Sequence, residues 1–122
     1  MKKTAWALVA LFLAALPFIV RAADESKTLT GEPVDITCYL GGKSGEQHGA
    51  TCGKSCIAKG MPAGLVVKEG DKSQLYLILA GHDKKVADVL GDLVGKQAKV
   101  TGKVAEKDGL KTITIEKAEA AK

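Results

Sequence analysis

The sequence predicts a mainly β domain whose five strands and one helix follow in the order β-β-β-α-β-β, with a short cysteine-bearing helix inserted between strands 1 and 2. Three observations carry that prediction. Alternating, β-branched stretches recur from Thr28 onward. Two strand pairs are joined by glycine turns, Glu69-Gly70-Asp71-Lys72 and Asp108-Gly109. One stretch of helical periodicity, Val86, Val89, Leu90 and Leu93, separates the third strand from the fourth.

Residues 1–22 read as a signal peptide. Lys2 and Lys3 form a basic start, and Trp6 to Val20 is apolar throughout apart from Pro17. That run is shorter than the about 20 residues a membrane span needs, and it suits the apolar core of a signal peptide. Val20-Arg21-Ala22 offers the cleavage site, and the absence of a cysteine just after the run argues against a lipid anchor. The expected mature chain, residues 23–122, is a single domain with one modest core, periplasmic or secreted.

Thr28 to Leu40 reads as the first strand, bent near Gly31-Glu32-Pro33 because proline interrupts a ladder. Val34, Ile36 and Cys38 share one parity, so Cys38 is expected to point inward. Gly41 to Gly49 is a glycine-rich loop. Ala50 to Lys59 reads as a short helix stopped by Gly60 and Pro62, capped by Thr51, or by a Ser44–Gln47 capping box one turn earlier. Gly64–Lys68 and Gln74–Leu79 form a hairpin, the second strand apolar on both parities and so expected to be covered on both faces. Asp83 is placed to cap the helix that follows, and Gly95 ends it. Gln97–Lys107 and Leu110–Lys117 form the closing hairpin across Asp108-Gly109, the strongest short hairpin signal. The tail after Lys117 is expected to fray. With the cysteine insertion set aside, this is the element order of the OB-fold, a small Greek-key β-barrel; a small α+β sandwich is the alternative.

Composition narrows the function. Lys2, Lys3 and Arg21 leave with the signal, so the 18 basic residues fall to 15 against 14 acidic ones, a net charge of +1. That balance makes no electrostatic case for nucleic acid or anionic lipid. Trp6, Phe12 and Phe18 leave too, and Tyr39 and Tyr76 are too few to build a stacking platform for single strands. No paired carboxylates or phosphate-cradling glycine motif appear, so no enzyme is expected, with thiol–disulfide exchange left open.

Chemistry concentrates between Cys38 and Cys56, which holds all three cysteines and His48. In an oxidising compartment three cysteines cannot all pair within one chain. If residues 50–59 are helical, Cys52 and Cys56 stand one turn apart on a single face, and His48 extends the row. The helix N-terminus, Lys54 and Lys59 are expected to lower thiol pKa there. Three converging thiolates suit a soft ion: Cu(I) in a trigonal site first, Zn(II) in a Cys3His tetrahedron next. Cys38, Cys52 and Cys56 are the expected ligands, His48 the fourth, with His82 in reserve. One structural disulfide from Cys38 to a helical cysteine is the plainer reading; it closes a loop of about 14 to 18 residues and is worth roughly 3 kcal/mol.

The chain resembles a group of small secreted bacterial proteins. The likeness spans roughly residues 28–117 and rests on Asp35-Ile36-Thr37-Cys38-Tyr39, on His48 ahead of Cys52 and Cys56, on Gly60-Met61-Pro62-Ala63-Gly64, and on Val100-Thr101-Gly102-Lys103-Val104. It implies an exported OB-like domain and brings no established activity with it. The Cys-x3-Cys spacing is also similar to that of the copper chaperones of cytochrome oxidase assembly, which use a different fold, so that likeness is one short motif. The expectation is an exported soft-metal-binding module that meets a metal-delivery or redox partner protein. The alternatives are a non-enzymatic interaction module with one disulfide, or a thiol–disulfide exchange partner.

Overall fold

The computed structural model describes residues 25–122, and the signal-peptide reading lies outside them. Five strands close into a ring in the order β1-β2-β3-β5-β4. They are β1 (Ser26–Asp35), β2 (Ala63–Glu69), β3 (Lys72–Ala80), β4 (Ala98–Lys107) and β5 (Leu110–Ala120). All neighbours run antiparallel except β3 and β5, which pair in parallel from Leu77↔Thr112 to Ala80↔Ile115. Between β1 and β2 lie the helical segments α1 (Ile36–Leu40), α2 (Glu46–His48), a π turn (Gly49–Gly53) and α3 (Lys54–Ala58). The last three run on without a break. Between β3 and β4 lie α4 (Val86–Leu90) and a 3-10 turn (Gly91–Leu93). The predicted order of strands and helix is therefore present. Among the described residues no helix is long and apolar enough to cross a membrane.

The period-2 pattern decides what faces inward. On β4, Ala98, Val100 and Gly102 are buried while Lys99 and Lys103 are exposed. Ile113 and Ile115 of β5, Leu65 of β2, and Tyr76 and Ile78 of β3 complete one core cluster, which Leu90 of α4 and Ile57 of α3 join. Ile57 thus ties the cysteine-bearing helix to the barrel interior. Asp108 and Gly109 take φ of +52° and +83°, the pair of left-handed residues that a two-residue hairpin turn requires.

Several expectations need correction. The first strand stops at Asp35 rather than Leu40, because Asp35 is extended and caps a helical turn, so Cys38 sits on α1 and not on an inward strand position. The expected bend near Gly31–Pro33 coincides with a change of partner: Ser26–Gly31 pair with β4, and Glu32–Asp35 pair with β2. The helix begins at Glu46, ahead of Ala50, with Gly45 at its cap and no side-chain capping bond. Thr51 instead donates back to the Gln47 carbonyl at 2.9 Å, so neither expected cap forms. Lys85 and not Asp83 occupies the cap of α4. β3 is covered fully on one face only, since Leu79 is exposed; Leu75 and Leu77 are half-buried, and Leu75 meets Ile36 over Gly64. The tail is not frayed, because β5 pairs with β4 as far as Ala98↔Ala120.

Candidate metal centre

Asp35 organises the site from the end of β1. It is buried, and its Oδ1 accepts the backbone N–H of Cys38 at 2.7 Å. That bond caps α1 at its third residue, the reach an Asp N-cap has. The Ile36 N–H meanwhile donates to the Pro62 carbonyl at 3.0 Å, which pins the start of α1 to the chain entering β2.

The second half of the site comes from the long helix. Gly49 lies against the chain entering β4 so closely that a Cβ there would stand 2.2 Å from the Val94 carbonyl oxygen. Only glycine permits that approach. The Gly95 N–H donates to the Pro33 carbonyl at 2.7 Å, so β1, Gly95 and the helix form one clamp. With Gly49 on one side and Ile57 on the other, the helix is fixed in rotation, and Cys52 and Cys56 face α1.

The three sulfurs meet. The Sγ atoms of Cys38, Cys52 and Cys56 all lie within 4.8 Å of one another. Cys52 and Cys56 are 3.7 Å apart, and all three thiols are free. Cys52 is exposed and the other two are half-buried, so the cluster is open to solvent on one side.

His48 does not join that group. A row His48–Cys52–Cys56 assumes ordinary α-helical winding. The π turn between them winds more widely, so four residues make less than a full turn rather than more. His48 instead lines a small cavity with Asp35 on the barrel side of the helix. His82 is exposed and lines a separate surface cleft with Asp83 and Glu116, away from the sulfurs.

The electrostatics also differ from expectation. The Cys38 thiol is pushed up to about 12, first because the Asp35 carboxylate is placed to hold its proton, and then through desolvation and the negative charge of Asp35. The Cys56 thiol is raised as well, by hydrogen bonding with Cys52 and by desolvation, with Lys59 opposing weakly. Lys54, which the sequence offered as a local cation, is paired with Asp92. Thiols crowded around a carboxylate resist ionising together, and a cation in their midst reverses that preference.

The sequence reading assigned Asp35 no part in the site, yet its carboxylate holds the turn that carries Cys38. The signal was present: an Asp three residues before Cys38 is the spacing of an Asp cap bonding the third helical N–H. Neither a protein-family model nor a curated protein matches this chain.

Proposed function

We propose that this chain is an exported module that binds one soft metal ion through Cys38, Cys52 and Cys56, with Cu(I) the preferred ion and Zn(II) second. The observation that carries the reading is the mutual 4.8 Å limit on the three sulfurs. Metal–sulfur bonds of about 2.3 Å in a trigonal plane require sulfurs about 4.0 Å apart, so an ion is accommodated by side-chain movements of well under 1 Å. Three sulfurs with no imidazole among them favour an ion content with three soft ligands, which is Cu(I); Zn(II) would draw a fourth ligand from solvent. The strand order, with its single parallel β3–β5 pair, supports an OB-like barrel as the frame. The apolar stretch before residue 22 supports export, and the solvent-facing Cys52 supports exchange of the ion with a partner protein.

Anaerobic titration of the reduced chain with Cu(I) against a chromophoric chelator is the test. One equivalent should bind, all three thiols should become protected from alkylation together, and each single Cys→Ser variant should lose the tight site. Protection of two thiols, or none, sinks the reading.

A second reading rests on a separate observation, the 3.7 Å between Cys52 and Cys56 Sγ. In thiol–disulfide exchange their two thiols become a disulfide and reduce a partner's disulfide to two thiols. Trapping a mixed disulfide with the Cys56→Ser variant is its test.

A further inference from the structure

We infer that a buried water molecule links Asp35 to His48, and that His48 therefore acts on the three-sulfur site as a positioning residue through Asp35 rather than as a ligand. Among the described residues, Asp35 Oδ2 and His48 Nε2 are the buried side-chain polar atoms without a hydrogen-bond partner. Both residues line the same cavity, between the end of β1, the Lys43–Gly45 turn, the helix at Gly49 and Gly53, and Val94–Gly95. Its volume is about 10 Å³, the space one water molecule needs. A buried carboxylate oxygen and a buried imidazole nitrogen left bare would each forfeit their hydration, whereas one shared water satisfies both.

The geometry gives that water a consequence. Asp35 already holds Cys38 through its other oxygen, at 2.7 Å from the backbone nitrogen. With Oδ2 fixed by the water and the water fixed by His48, the carboxylate has one orientation, and so has the α1 turn that carries Cys38. Glu32, on the cavity wall, binds the Gly45 N–H at 2.7 Å and so holds the turn that leads into His48. The sequence motif left over by a three-sulfur site, His48 four residues before Cys52, thereby acquires a role on the opposite side of the carboxylate.

This role in metal binding rests on the soft-metal reading, but the link itself does not, and the experiment separates the two. Nitrogen-detected NMR of the metal-free chain reports the tautomer of each imidazole. His48 should show one dominant tautomer that changes in Asp35→Asn, a variant that keeps a carbonyl oxygen for the cap, while exposed His82 stays unchanged. If His48 matches His82 and ignores Asp35→Asn, the link does not exist, whether or not metal binds. For the metal-bound chain, His48→Ala should keep three sulfur donors by X-ray absorption and weaken Cu(I) binding about tenfold. The double variant Asp35→Asn/His48→Ala should be no weaker than Asp35→Asn alone. Loss of a nitrogen donor in His48→Ala makes His48 a ligand and overturns the inference. Failure of Cu(I) to bind the unmodified chain overturns the proposed function and leaves the NMR result standing.

Discussion

Gly49→Ala and Gly53→Ala make a matched pair on one helix, and their difference measures the clamp that aims the sulfurs. A Cβ at Gly49 would meet the Val94 oxygen at 2.2 Å, the Val94 carbonyl carbon at 2.5 Å and Gly95 Cα at 2.6 Å, all backbone, against an ordinary 3.4–4 Å. Relief requires the helix to back off by roughly 1 Å, and overpacking of this kind costs about 1–3 kcal/mol. At Gly53 the nearest atom is the Val94 Cγ1 methyl at 3.1 Å, which can yield by a few tenths of an ångström. Both substitutions gain the same helix propensity, about 1 kcal/mol, so it cancels in the comparison. Gly49→Ala should therefore fall below Gly53→Ala by about 1–3 kcal/mol, or roughly 5–20 °C in thermal midpoint for a domain of this size. Circular-dichroism melts of the metal-free proteins read this directly, and thiol protection by Cu(I) should weaken in the first variant but not in the second. Midpoints that coincide to about 2 °C would refute the argument that Val94–Gly95 holds the helix.

Other expectations follow from the same geometry. Cys38 and Cys56 hold their protons at neutral pH, so an ion must displace both, and affinity should rise between pH 6 and 8 by at least about a hundredfold per unit; a competition assay that is flat with pH contradicts this. Without metal, the raised Cys38 thiol favours the folded chain below its ordinary 9.0, and that contribution is lost as pH climbs toward about 12. Cys38→Ser should accordingly fall less steeply in alkaline urea titrations than the unmodified chain. Ile57→Ala empties a buried position beside Cys56 and should cost about 2–5 kcal/mol in chemical denaturation. Gly109→Ala forces a side chain into φ +83° at the closing turn, which should cost about 1–2 kcal/mol while leaving Cu(I) stoichiometry untouched.

The barrel was legible wherever a local rule and the tertiary packing agree. Asp108-Gly109 names its own turn, the alternation of Ala98, Val100 and Gly102 names the inner face of β4, and the Cys-x3-Cys pair lies on a helix as its spacing requires. The misreadings arose where distant contacts override the local pattern. Residues 36–40 have strand-like chemistry, yet Asp35 turns them into a helix with the help of Pro62. The tail after Lys117 is polar and alanine-rich, but β4 supplies a partner that propensity cannot reveal. His48 was legible as a residue of interest and not as to direction, because a π turn leaves no mark in apolar periodicity. The thiol environment was read from the nearest lysines, whereas the structure gives Lys54 to Asp92 and sets Asp35 beside Cys38.

β1 has a consequence in time as well as in space. Its first half pairs with β4, near the far end of the chain, and the helix that carries two of the thiols is gripped by Val94–Gly95, almost as remote. Contacts of such sequence separation form slowly. A newly made chain would hold its three sulfurs apart until synthesis and ring closure are done, and on the proposed function capture of an ion would then be a late event that certifies a finished molecule.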